Sequence, residues 1–184
     1  MTTCKSMAKA DILQPFILSW EGGYVNNPAD KGGPTMKGVT LTTFRSVFGK
    51  DKTVTDLKRI SSQQWFTIFK KYYWDKWQAD RITDQSIANL LVDWYWGSGV
   101  YGIILPQKAM SLTADGIVGP KTLAAINTYP NKKELFEYLW KQRQAHFKRI
   151  AKGNQLQFLK GWLNRLNGIK YSQLKFNGGG TIFF

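Results

Sequence analysis

The stretch that decides the fold is Glu21-Gly22-Gly23-Tyr24-Val25-Asn26-Asn27-Pro28-Ala29-Asp30-Lys31-Gly32-Gly33-Pro34-Thr35-Met36-Lys37-Gly38-Val39-Thr40. Upstream of it, Ile12, Leu13, Phe16, Ile17 and Trp20 recur at helical spacing, which predicts an amphipathic helix that ends near Glu21. Asp11 suits its N-cap, which would put Pro15 close to the first turn, where proline does least harm. Gly22 and Gly23 then stop the helix. From Gly23 to Gly38 the chain is rich in Gly, Asn and Pro, which predicts a long irregular loop with a short hairpin. Long ordered loops in compact domains are often functional.

Glu21 stands where the apolar helix meets the Gly-Gly turn, and it is the only glutamate before Glu134. A carboxyl group at such a place is partly desolvated and close to the negative end of the helix dipole. Both effects favour its protonated form, as a general acid requires. The position equally suits an ordinary surface glutamate at a helix end. Asp30 follows nine residues later, in a setting that suits either a second site carboxylate or an Asx turn. Two carboxyl groups in unlike surroundings are the equipment of glycoside hydrolysis.

Composition narrows the alternatives. The 184 residues include 26 Lys plus Arg against 12 Asp plus Glu, a net charge of +14, and this implies an anionic partner. The charge is unevenly spread: residues 1–100 hold 13 basic and 9 acidic side chains, residues 101–184 hold 13 and 3, and no acid follows Glu137. One cysteine, Cys4, excludes an intrachain disulfide and a Cys-rich zinc site. One histidine, His146, excludes a multi-histidine metal centre and is expected at a surface or interface. No metal or cofactor is expected; the catalytic equipment is carboxylates. No segment has the length of a membrane span, and the apolar run 12–20 is broken by Gln14 and Pro15, so no cleavable signal peptide and no stable membrane insertion are expected.

Beyond residue 40 the pattern is helical almost throughout. Helices are predicted at 42–48, 62–77, 86–96, 121–127, 133–151 and 156–166, and the glycine-containing tail 171–184 is expected to be loosely ordered. Trp74, Trp77, Trp94 and Trp96 are either sugar platforms or core, and core is the commoner outcome for tryptophan at helical spacing.

The quoted run closely resembles the signature of glycoside hydrolase family 108, the phage endolysins and bacterial muramidases of the lysozyme-like superfamily. Tyr72-Tyr73-Trp74, with Trp77 behind, resembles the family's aromatic segment, and Asp93 followed by Gly99 its later helix end. Asp115-Gly116-Ile117-Val118-Gly119-Pro120-Lys121-Thr122-Leu123 resembles the peptidoglycan-binding helical module usually attached to it. Gly97 and Pro106 depart from the pattern, standing where the family usually has Asn and Leu.

The resemblance implies a mainly α, lysozyme-like fold with a small β element beside the cleft. It implies a catalytic region at 1–100 and a peptidoglycan-binding-like helical region at 101–170 packed in the same globule. It further implies Glu21 as catalytic acid, Asp30 and Thr35 as its partners in the site, and Tyr24, Asn27, Tyr73, Trp74 and Asp93 as substrate-binding residues. The expected activity is cleavage of the β-1,4 bond between N-acetylmuramic acid and N-acetylglucosamine by a monomer. The expected partners are bacterial peptidoglycan and anionic wall polymers, reached from the cytoplasm by holin-type release or dedicated export. Rival readings are a lytic transglycosylase, a non-catalytic wall-binding or secretion-assisting protein, and a basic nucleic-acid-binding protein. The last has only the charge in its favour, since no recognition signature accompanies it, and no nucleic-acid partner is expected.

Overall fold

The computed structural model describes residues 6–26 and 32–184; Asn27 and Asp30, and also Cys4, lie outside the described residues. The fold is mainly helical, with two small antiparallel sheets. Helix α1 (Ala10–Trp20) buries Ala10, Leu13, Phe16 and Ile17. It starts before the expected cap. Lys9 is the N-cap and lacks a capping side chain, while its N–H donates to Gln85 Oε1 at 2.7 Å. Pro15 therefore lies inside the helix, on its exposed side. The helix stops as Glu21 turns extended at φ −85° and ψ 138°.

Strands β1 (Tyr24–Val25), β2 (Thr35–Met36) and β3 (Val39–Thr40) form the first sheet in that order, with Tyr24 opposite Met36 and Met36 opposite Val39. The tight β2–β3 turn places Lys37 and Gly38 at φ 50° and 76°. The buried Trp65 indole pins it by donating to the Lys37 carbonyl at 2.9 Å.

Helices α2 (Leu41–Phe48), α3 (Val54–Lys58) and α4 (Ser62–Phe69) follow, the last two started by capping boxes at Thr53 and Ser61. The single helix expected at 62–77 is in fact three pieces: α4, a π-helical turn at Lys70–Trp74 and a 3-10 turn at Asp75–Trp77. The widened turn brings Trp74 to the inner side already occupied by Phe69, and both are fully buried.

Helix α5 (Gln85–Ser98) is the axis of the molecule, buried without a break from Ser86 to Trp94. Helix α6 (Tyr101–Ala109) folds back on it, and a Cβ at Gly102 would lie 2.4 Å from the Tyr95 backbone, so only glycine permits this crossing. The unexpected Pro106 is buried within α6. After α7 (Pro120–Asn127), the long α8 (Lys132–Ile150) packs across α5 and α6, and α9 (Leu159–Asn167) packs on α8. No described helix is long and apolar enough to cross a membrane.

The tail is a correction to the sequence reading. Strands β4 (Ile169–Lys170), β5 (Gln173–Lys175) and β6 (Thr181–Phe183) form a second antiparallel sheet, with Ile169 and Leu174 fully buried. The glycines that looked like slack take φ values of 85°, 106° and 85° at Gly178, Gly179 and Gly180 and make the β5–β6 connection. The sheet is tied to the start of α5. Tyr171 donates to Asp84 Oδ2 at 2.9 Å, and the Ser172 N–H donates to Ser86 Oγ at 2.8 Å. Burial and the Asp84 carboxylate push the Tyr171 phenol up to about 12.

Candidate active site

Glu21 lies at the junction of α1, the first sheet, α5 and α9. Its side chain is 16% exposed, and two donors converge on Oε1: Trp96 Nε1 at 2.7 Å and Arg165 Nη1 at 2.9 Å. Among the described residues nothing hydrogen-bonds to Oε2. Gly38 closes in beside the carboxyl, where a Cβ would lie 2.8 Å from Oε2 and 2.5 Å from the Trp96 ring. Expectation and structure thus agree on where the carboxyl sits. The sequence reading had only an apolar helix end around it, whereas the structure adds a guanidinium and an indole.

Trp96 is held by rings. Its centroid is 4.4 Å from Tyr73, 5.4 Å from Trp65 and 6.2 Å from Phe69. Tyr73 is half-buried, and its phenol is pushed above its ordinary value by burial and by the neighbouring Tyr95 and Glu21. Tyr73 thus packs against the indole that donates to Glu21.

Arg165 is the second fixed element. Its Nη2 donates to Asp93 Oδ1 at 2.7 Å, and its Nε to the same oxygen at 3.1 Å. Asp93 is fully buried and also pairs with Arg143, whose Nη1 lies 2.9 Å from Oδ2. Arg143 Nη2 donates to the Asp93 carbonyl at 3.2 Å. Burial alone would raise the Asp93 carboxyl, but Arg165 and Arg143 outweigh it and hold it below the usual carboxylate range. An ion-pair chain Glu21–Arg165–Asp93–Arg143 thus runs from the surface of the site into the core.

Two expected substrate residues are corrected by this geometry. Asp93 is wholly enclosed and has both carboxylate oxygens on guanidinium groups, so it holds Arg165 and does not meet a substrate. Trp74 is fully buried, and its indole donates to Asp80 Oδ1 at 2.6 Å. Trp77 and Trp94 are likewise core. Of the four tryptophans weighed as platforms, only Trp96 reaches the site.

The remaining expected residues divide. Tyr24 is half-buried on β1 with Lys58 Nζ 4.2 Å from its ring centroid. Thr35 is half-buried on β2 and donates its hydroxyl to the Gly33 carbonyl at 3.0 Å, not to Glu21. His146 is partly buried on α8, 3.1 Å from Arg149 Nη2, and burial and that cation lower its pKa. Sequence reasoning missed Arg165 and Gly38. Gly38 stood inside the quoted run, but nothing in the sequence places Arg165 against a glutamate 144 positions away.

Residues 14–99 match the family model described as Glycosyl hydrolase 108, and residues 101–167 match the one described as a predicted peptidoglycan domain. A solved structure described as that of Brucella abortus SagA is 28% identical, with a TM-score of 0.72 over 87% of this chain and 90% of that one. No curated protein matches the chain. Helix content, small sheets and this structural match together give a lysozyme-like fold. Residues 14–99 thus form a Glycosyl hydrolase 108 domain, a peptidoglycan domain follows it, and the chain is a glycoside hydrolase that acts on peptidoglycan.

Proposed function

We propose that the chain is an N-acetylmuramidase. It hydrolyses the β-1,4 bond between N-acetylmuramic acid and N-acetylglucosamine, with Glu21 as general acid. The observation that carries this reading is the asymmetric Glu21 carboxyl, with Oε1 anchored by Trp96 and Arg165 and Oε2 beside Gly38 without a hydrogen bond among the described residues. A proton held on Oε2 passes to the bridging oxygen as the glycosidic C–O bond breaks. The two donors stay in place and stabilise the carboxylate left behind, so they act most strongly once transfer is under way. Tyr73 and Trp96 offer ring faces for the sugar next to the acid.

Hydrolysis also needs a group to orient or deprotonate water. Asp93 is unavailable for this, because both of its oxygens are committed. Asp30 is proposed for that role from its place in the sequence, and Thr35 as its neighbour in the turn. The substrate puts the work outside the cytoplasmic membrane, and release through a holin-type lesion or dedicated export would deliver the protein there.

Glu21→Gln is nearly isosteric but cannot donate the proton, and general acid catalysis contributes roughly 100- to 10,000-fold. Turbidity loss of purified peptidoglycan should fall by that factor, with an unchanged circular dichroism spectrum. Mass spectrometry of wild-type products should find reducing ends. Near-wild-type lysis by the variant refutes the role of Glu21, and anhydro-muramyl ends refute hydrolysis in favour of transglycosylation.

A further inference from the structure

Both family models stop by residue 167, yet the chain continues into β4, β5 and β6. This sheet turns back towards α1, where the Asn177 N–H donates to Ser19 Oγ at 3.1 Å. Between the sheet, the end of α9 and α1 lies an open cavity of about 510 Å³, lined by Trp20, Asn164, Asn167, Lys170, Lys175 and Asn177 among others. Its size falls within the range of ordinary ligand sites. Trp20 is the residue before Glu21 and Asn164 the residue before Arg165, so the cavity flanks the acid.

The wall of this cavity has a consistent chemistry. Ile169 and Leu174 point inward, and strand alternation turns Lys170 and Lys175 outward. Among the described residues, neither ammonium has an ion-pair or hydrogen-bond partner and no carboxylate lines the cavity. The side-chain amides of Asn164, Asn167 and Asn177 are likewise uncommitted among the described residues. Free ammonium groups select carboxylates, free carboxamides pair with peptide N–H and C=O groups, and the indole offers an apolar face. In peptidoglycan the lactyl carboxyls are capped as amides where peptides are attached, so the negative charge lies on the stem peptides and not on the glycan.

We propose that this cavity binds the carboxylate-bearing stem peptide of the strand whose glycan is cut at Glu21. The inference rests on the peptidoglycan reading above and adds a peptide subsite built largely by residues beyond both family models. It makes peptide-bearing glycan a better substrate than bare glycan.

The test compares the wild type with the Lys170→Ala/Lys175→Ala double variant on two substrates: intact glycan strands and the same strands stripped of peptide by an amidase. Both lysines are exposed, so the fold should persist. The double variant should lose about five- to tenfold in kcat/KM on peptide-bearing strands, mainly through KM, and nothing on stripped strands. No loss on either substrate, or the same loss on both, overturns the subsite. Titration with a free stem tetrapeptide, followed by NMR, separates this idea from its parent. Weaker binding by the double variant supports the subsite even if Glu21→Gln has refuted the acid, and equal or undetectable binding in both proteins refutes it.

Discussion

Gly38→Ala should inactivate the enzyme while leaving it folded. Gly38 sits at φ 76°, a region that costs an L-residue about 1–2 kcal/mol. Spread over a chain of this size, that lowers the melting temperature by about 2–8 °C. The larger effect is local. The added methyl would stand 2.5 Å from Trp96 Cζ2 and 2.8 Å from Glu21 Oε2. Carbon contacts relax only near 3.5–4.0 Å, so the indole must retreat by roughly 1 Å. Trp96 cannot move freely, because Tyr73, Trp65 and Phe69 pack around it. The strain therefore falls on its 2.7 Å bond to Glu21 and on the space beside Oε2. A misplacement of that size costs on the order of 100-fold in rate. The assay is release of reducing ends from purified peptidoglycan, with kcat and KM determined separately and thermal unfolding run in parallel. Activity within about threefold of wild type, in a protein whose indole fluorescence is unchanged, would refute the reasoning.

Three further outcomes are expected. Arg165→Met strips one guanidinium from the buried Asp93 and should destabilise the protein by about 3–5 kcal/mol in urea unfolding; Arg165→Lys should recover only part, since an ammonium cannot fork between Asp93 and Glu21, and full recovery would contradict the bidentate role. Because the folded Asp93 carboxyl is held below its ordinary value, its contribution should be complete above about pH 4 and lost as pH falls through the lower folded value; urea midpoints against pH should show this acid limb flattened in Asp93→Asn, and identical limbs would exclude Asp93 as the source. Charge reversal at the exposed Lys148, Arg149 and Lys152 should weaken co-sedimentation with peptidoglycan, as should rising salt, since screening at physiological salt sets in beyond about 8 Å; salt-independent pelleting would instead make sugar stacking the main anchor.

Much of this was legible because local signals and tertiary structure coincide. The apolar spacing of α1 and the Gly-Gly turn placed Glu21 at a helix end, and the Lys37-Gly38 turn lay in the same run. Other features lacked a local signal. The aromatic positions of 62–77 look like one continuous helix, and only the need to bury Trp74 beside Phe69 opens it into a π turn. Strands of two or three residues are too short to display alternation, so β4–β6 read as slack. Arg165 looked like one more basic residue in an acid-free segment. Its role depends on a buried aspartate and a distant glutamate that only folding brings to it.

The four-residue ion chain also bears on how such enzymes can be recombined. Glu21 and Asp93 come from the hydrolase part of the sequence, while Arg143 and Arg165 come from the peptidoglycan part. Cutting the polypeptide at the seam near residue 100 would strand a buried carboxylate without either of its cations and leave Glu21 without its guanidinium anchor. The two parts are therefore heritable as one unit and not as interchangeable cassettes. A chimera that replaces the rear half must bring guanidinium groups to both positions, or it will present a wall-binding surface attached to a catalytic half that no longer folds.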